Sequence, residues 1–133
     1  MDAIKYALIA LTGWGFWAIG SKIMTRHLNT VSTSFWISFW ALIFLSTYVL
    51  FRRNLMINRH AFYAIPVGLT SLVALLAFYK ALRIGPASVV VPLANMYLLF
   101  PVLYGFIILG EEITTTRILG IVCAGLATIL LSL

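Results

Sequence analysis

The sequence predicts an all-α integral membrane protein, a bundle of five transmembrane helices that forms a single domain over residues 1–133. Hydrophobic residues make up 63% of the chain and charged residues 9%, whereas soluble proteins average about 45–50% and about 25%. Five apolar stretches follow one another, each close to the roughly 20 residues that cross a bilayer as a helix. They are Ile4–Met24, Val31–Phe51, Ala61–Leu82, Ala87–Leu109 and Thr115–Leu133.

The stretches are predicted to be helical because backbone groups in lipid must bond within their own segment. Strands of a β-barrel alternate polar and apolar residues over about ten positions, and these stretches do not. The connections between them are too short to hold a soluble domain, so we expect a multi-pass protein of the cell membrane.

The first stretch is longer than the apolar segment of a signal peptide and lacks a clear small-residue cleavage site, so we expect it to be retained. Trp14 and Trp17 fall near its middle, and Trp40 is equally central in the second stretch. Aromatic residues usually gather at the membrane interface instead. Central tryptophans either fill space between helices or form the wall of a solute cavity, where their faces can hold a cationic or planar solute.

Lys22 and Lys80 lie about one turn inside the ends of the first and third stretches. Two roles are open for them. Either the stem is buried and the ammonium reaches the lipid headgroups, or the ammonium faces the mouth of a cavity and attracts an anionic group of a solute.

The fourth stretch contains two prolines, Pro92 and Pro101, each of which removes a backbone donor and favours a kink. Asn95 lies between them near mid-span, where an amide facing lipid is costly. We expect it to line a cavity or to bond to a neighbouring helix. Tyr97 falls on nearly the opposite side of a straight helix, so it is the weaker candidate for contact with the same solute.

The fifth stretch repeats small residues every four positions, a pattern through which membrane helices pack closely. The stripe either packs within the chain or pairs two copies of it. Its members are Gly120, Ala124, Thr128 and Ser132.

Several functions are excluded by composition. The net charge of +6 comes from Lys and Arg residues scattered at the ends of the stretches, without the basic run of a nucleic-acid site. The single cysteine, Cys123, excludes a disulfide framework or a thiolate metal site within one chain. His27 and His60 have no other metal ligands near them, and no nucleotide-binding glycine loop is present. We expect no enzymatic activity, no metal and no cofactor.

The positive charges are balanced across the membrane, five on the side of the N-terminus and four on the other. The positive-inside rule needs an asymmetry, so two topologies are open: a fixed one with the N-terminus inside, or insertion in both orientations. The five are Lys5, Arg52, Arg53, Arg59 and Arg117, and the four are Lys22, Arg26, Lys80 and Arg83.

The order of motifs in the second half resembles the EamA domain of the drug/metabolite transporter superfamily. It runs from Tyr79-Lys80-Ala81-Leu82 through Gly85-Pro86-Ala87-Ser88 and Leu109-Gly110-Glu111 to Gly120 and Gly125. The Gly13-Trp14-Gly15-Phe16-Trp17 segment and Ser21-Lys22 are similar to the family as well. The resemblance implies secondary transport of a small organic solute, and leaves the solute open.

The resemblance also implies that the chain is half of a transporter fold, because that domain usually occurs as two tandem copies. An odd number of spans inverts the second copy, and inverted repeats commonly enclose a midplane site. A single copy recovers this arrangement by pairing with an oppositely inserted mate. We therefore predict an antiparallel homodimer in the lipid bilayer.

Acidic residues are confined to Asp2, Glu111 and Glu112. Glu111 and Glu112 precede the last stretch, where the helix dipole favours them and Thr114 is a candidate cap. No acid lies in the first stretch, unlike in the small multidrug exporters of the same superfamily, so we do not expect proton antiport through a midplane carboxylate.

These observations predict alternating access around a cavity walled by Trp14, Trp17, Trp40, Asn95 and, less directly, Tyr97, with Lys22 or Lys80 at its mouth. Two alternatives remain open. One is a subunit of a lipid-linked sugar flippase, with the lysines on phosphate headgroups. The other is a small dual-topology ion channel.

Overall fold

The computed structural model describes residues 2–53, 55–56, 58–112 and 114–132, with the backbone alone at position 132. The described residues form helices and short connections and contain no strand. The chain divides into two compact units, Met1–Ile84 and Gly85–Leu133. We call them unit 1 and unit 2 and describe each by itself. The predicted all-helical fold is confirmed.

Unit 1 consists of three helices that contact one another. Helix α1 spans Asp2–His27, α2 spans Thr30–Arg52, and α3 spans Ala64–Ile84 after a 3₁₀ turn at Arg59–Tyr63. Two residues join α1 to α2, so the C-terminus of α1 and the N-terminus of α2 lie at the same end of unit 1.

The ends of α2 follow from its local sequence. The side chain of Asn29 accepts a hydrogen bond from the backbone N–H of Ser32 at 2.7 Å and caps the N-terminus. At the other end, Arg53 adopts a left-handed conformation with φ 46°, and its N–H bonds to the carbonyl of Val49. Such a residue ends a helix while satisfying one of its last carbonyls.

Unit 2 consists of α4 at Ala87–Asn95, a 3₁₀ turn at Met96–Leu98, α5 at Leu99–Ile107 and α6 at Thr115–Ser132. Helix α4 packs against α6. The predicted cap at Thr114 is confirmed, because its hydroxyl accepts a hydrogen bond from the N–H of Arg117 at 3.3 Å.

The fourth apolar stretch is interrupted, as its prolines predicted, and the interruption is the 3₁₀ turn before Pro101. Pro101 has no N–H for the carbonyl of Tyr97, and its ring crowds that carbonyl. Pro92 lies inside α4 without ending it. The helix type therefore changes between Asn95 and Tyr97. The prediction that the two side chains lie on nearly opposite sides assumed a straight α-helix, and it does not apply here.

Four helical segments are long and apolar enough to cross a membrane: Asp2–His27, Thr30–Arg52, Arg59–Ile84 and Ala87–Ile107. The last helix, α6, is apolar but shorter. Among the described residues, Tyr79 and Leu82 are the buried large hydrophobic side chains, and most others face outward. A bilayer accommodates such a surface, whereas water does not.

Candidate functional site

A cluster of buried hydroxyl groups lies at one end of unit 1. Its members are Ser21 in α1, Thr33 in the first turn of α2 and Tyr79 near the end of α3, with 1%, 0% and 0% of their surfaces exposed. The short α1–α2 connection brings the first two elements to the same end, and a hydrogen bond from Lys22 to Leu82 places the end of α3 there too. We call these three residues the hydroxyl cluster.

The three hydroxyls lack hydrogen-bond partners among the described residues. The polar groups of Ser21 and Trp17 lie near the Tyr79 hydroxyl without reaching hydrogen-bond geometry. Buried polar groups in proteins are nearly always paired, and exceptions commonly mark an unseen water, an ion or a functional site. The hydroxyl cluster is therefore the strongest candidate site in unit 1.

Trp17 forms an aromatic wall beside the hydroxyl cluster. Its ring stacks on Phe78, with centroids 5.4 Å apart and planes 10° apart, and lies 5.9 Å from the ring of Tyr79. The side chain is half-buried. Of the three tryptophans predicted to form a cavity wall, this one stacks on a ring from another helix.

Lys22 follows Ser21 and reaches across to α3. Its ammonium donates a hydrogen bond to the carbonyl oxygen of Leu82 at 2.5 Å. That carbonyl belongs to the last turn of α3, where carbonyls have no partner within the helix. Lys22 thus complements the C-terminus of α3, a role that neither of the two sequence expectations included.

The remaining predicted site residues of unit 1 lie on its outside. Trp14 is 64% exposed and Trp40 51% exposed. Trp40 belongs to a row of aromatic rings along α2, in edge contact with Phe39 and stacked on Phe44. Lys80 is exposed as well. Within one copy of the chain, the structure does not bring these three side chains to the hydroxyl cluster.

In unit 2, Asn95 ends α4 and Tyr97 lies in the 3₁₀ turn. Both side chains are exposed. A 3₁₀ helix has about three residues per turn, so two residues are separated by about 120° instead of the roughly 160° of an α-helix. The break brings the two side chains closer to one face without joining them.

The small-residue stripe of α6 is divided between two environments. Thr128 is buried, and its hydroxyl donates to the carbonyl of Ala124 at 2.9 Å. Gly120 is exposed, and a methyl group there would meet nothing within 4 Å. The side chain of Ser132 lies outside the described residues. One member of the stripe is therefore buried, and another remains open.

Unit 2 contains an open, mainly apolar cavity of about 330 Å³ with one carboxylate on its wall. That carboxylate belongs to Glu111, whose N–H bonds to the carbonyl of Gly105 at 3.0 Å. A Cβ at Gly105 would lie 3.0 Å from the carboxyl carbon, so a larger residue there would require the Glu111 side chain to shift. The cavity is lined by Leu98, Val102, Phe106, Glu111, Arg117, Gly120, Ile121 and Ala124.

Sequence reasoning missed the hydroxyl cluster, although two of its members stood next to residues that were singled out. Ser21 precedes Lys22, and Tyr79 precedes Lys80. A lysine in an apolar stretch is a clear sequence signal, because its charge contrasts with the surrounding residues. A buried hydroxyl has no such signal, since serine, threonine and tyrosine also occur on lipid-facing positions.

Comparison with known proteins gives one positive result. The profile of the EamA-like transporter family matches the chain over residues 1–133. No curated protein and no solved structure matches it.

Proposed function

The chain belongs to the EamA-like transporter family, and we propose that it moves a small organic solute across the cell membrane as a secondary transporter. It is a multi-pass membrane protein, as its apolar helices and family indicate. The observation that carries the proposal is the match of the whole chain to a family of transporters. Members of a family share a fold first, so the solute must be argued from the site.

We propose that the transporter is an antiparallel homodimer. The balance of five positive charges against four favours insertion in both orientations. The exposed tryptophans Trp14 and Trp40 also support it, because in a single copy both side chains are more than half exposed and open to a partner. A second, inverted copy supplies the opposite wall, in the manner of inverted-repeat transporters.

We propose that the solute binds between the two copies. Trp17 forms one fixed wall next to the hydroxyl cluster, and Trp14 and Trp40 contribute faces from the exposed surface. Asn95 contributes an amide, and Tyr97 a hydroxyl. In this proposal Lys22 and Lys80 stand at the mouth of the site, and Lys80 is an exposed residue. Rocking of the two copies about this site gives alternating access.

The test is flux in proteoliposomes loaded with a panel of radiolabelled organic solutes. We expect at least one solute to accumulate with wild-type protein, and Trp17→Ala and Asn95→Ala to reduce its uptake at least tenfold. The matched control is Phe16→Ala, since Phe16 neighbours Trp17 on α1 but is exposed and outside the proposed site. Absence of flux for every solute, with a folded dimer, overturns the proposal.

A further inference from the structure

We infer that the hydroxyl cluster of Ser21, Thr33 and Tyr79 is a binding site for internal water at one end of unit 1. The inference concerns the resting protein and does not depend on the proposed transport. Three fully buried hydroxyls from three different helices carry it, each without a hydrogen-bond partner among the described residues.

The lack of partners is unusual, because a serine or threonine in a helix normally has a backbone carbonyl within reach of its hydroxyl. Its hydroxyl can donate to the carbonyl three or four residues earlier in its own helix. Thr25 donates in this way to Lys22 at 2.9 Å, and Ser34 to Thr30 at 2.9 Å. The same bond is made by Thr12, Thr47 and Thr70.

Ser21 and Thr33 lie close in sequence to these residues, but their hydroxyls do not bond to a carbonyl of their own helix. Thr33 directly precedes Ser34 in α2, which shows that this part of the helix offers suitable carbonyls. The Tyr79 hydroxyl has no such local option, because its ring places the oxygen far from its own backbone. Ser21 and Trp17 lie near the Tyr79 hydroxyl, but none of the three hydroxyls reaches hydrogen-bond geometry with the described residues. A further partner is needed to satisfy them.

The chemistry at this end of unit 1 selects a neutral ligand. No Asp or Glu occurs between Asp2 and Glu111, so unit 1 has no carboxylate there to balance a bound cation. The ammonium of Lys22, bonded to Leu82, adds a positive charge nearby. Lys22 and the N-terminus of α2 favour an anion, whereas the C-termini of α1 and α3 present the negative ends of their dipoles and oppose one, so the helix ends select no charged ligand. Water both donates and accepts, as hydroxyl groups require.

Buried waters typically make about three hydrogen bonds to otherwise unsatisfied polar groups. The hydroxyl cluster offers three such groups, one on each helix of unit 1. A water held among them links α1, α2 and α3 at the end where the helices bury their few enclosed side chains.

X-ray radiolytic footprinting of the protein in lipid nanodiscs, with ¹⁸O-labelled water, tests the inference without any substitution. Radicals form where water is bound, so we expect Tyr79 to be oxidised although its side chain is 0% exposed. Phe44 is the control, because it is 68% exposed on the protein yet central in α2, where lipid excludes water. Oxidation of Tyr79 no faster than that of Phe44 overturns the inference.

Isosteric variants give a second, independent measurement. If water bridges the hydroxyls, Thr33→Val and Tyr79→Phe each lower the thermal midpoint of the detergent-solubilised protein by several degrees. The double variant then loses less than the sum, because both changes break the same bridge. Thr70→Val is the control, since the Thr70 hydroxyl is exposed and bonded within its own helix.

If no water is bound among the three hydroxyls, the thermal midpoints of the variants change in the opposite direction. Removal of an unsatisfied hydroxyl then relieves a desolvation penalty and leaves the midpoint unchanged or raised. Either of those results, or strictly additive losses in the double variant, contradicts a shared water site.

Discussion

The ammonium of Lys22 in α1 is bonded to the carbonyl oxygen of Leu82 in the last turn of α3, 60 residues along the chain. A cation at the C-terminus of a helix satisfies a carbonyl that the helix itself leaves unpaired and complements the dipole. The bond joins the ends of α1 and α3 next to the hydroxyl cluster. It gives Lys22 a structural role that is separable from contact with a solute.

Lys22→Met is therefore expected to destabilise the protein by about 1.5–3 kcal/mol, the range for hydrogen bonds to charged groups. Thermal unfolding in detergent measures the change. The matched control is Lys80→Met, because Lys80 is exposed and its removal should alter stability by less than about 0.5 kcal/mol. Equal effects of the two substitutions would show that the bond to Leu82 contributes nothing.

Asn29→Ala is expected to cost about 1 kcal/mol, because it removes the side-chain acceptor that caps α2. Asn29→Ser should retain most of the stability, since a serine oxygen also bonds to the N–H two or three residues on. Chemical denaturation of the two variants measures the difference. A serine variant as unstable as the alanine variant would assign the loss to something other than the cap.

Gly105→Ala is expected to couple to Glu111. Alanine favours a helix over glycine by about 1 kcal/mol, but a Cβ at Gly105 would lie 3.0 Å from the Glu111 carboxyl carbon and displace that side chain. We predict little net change in stability in the wild-type background, and a gain of about 1 kcal/mol when Glu111 is already Ala.

A double-mutant cycle by thermal unfolding measures this coupling. Gly68→Ala serves as the control, because a methyl group at Gly68 meets nothing within 4 Å. Its effect should be the same whether residue 111 is Glu or Ala. Additive effects of Gly105→Ala and Glu111→Ala would contradict the proposed contact.

Trp17→Ala and Trp14→Ala are expected to separate packing from binding. Trp17 stacks on Phe78, so its loss should cost at least about 1 kcal/mol, the order of an aromatic pair. Trp14 is exposed on α1, and its loss should change the stability of the single copy by less than about 0.5 kcal/mol. We expect Trp14→Ala to reduce solute uptake at least fivefold nevertheless. Normal uptake by that variant would remove Trp14 from the proposed site.

Insertion in both orientations is expected from the balance of positive charges. Reporter enzymes fused to the C-terminus, one active only inside the cell and one only outside, should both give signal. Arg83→Gln, which makes the balance five to three, should shift the population toward one orientation. Signal from a single side in the unmodified protein would exclude the antiparallel dimer.

The helices were predictable from the sequence because lipid imposes one solution on an apolar stretch of sufficient length. The interruption between Asn95 and Leu99 also followed from a local cause, the missing N–H and bulky ring of Pro101. The cap of α6 at Thr114 was predictable for the same reason. A threonine just before a helix accepts a hydrogen bond from a backbone N–H two or three residues further on.

The site residues named from the sequence stay predictions, and the structure adds only where each of them lies. Trp17 and Lys22 lie beside the hydroxyl cluster, whereas Trp14, Trp40 and Lys80 lie on the exposed surface of the single copy. Helical periodicity shows which residues share one face of a helix. It does not show which neighbouring helix, if any, packs against that face. In a chain that is apolar on almost every side, that information is weak.

The sequence alone determined that this chain resides in a membrane, that it is helical, about where its apolar helices lie, and to which family it belongs. These properties depend on composition and on contacts within a few residues. The tertiary structure decided that Lys22 bonds to Leu82, that the Glu111 carboxyl group lies close to Gly105, and that Ser21, Thr33 and Tyr79 are each buried at the same end of unit 1. Burial of a hydroxyl results from three helices meeting at one point, and no local pattern in any one of them encodes that meeting.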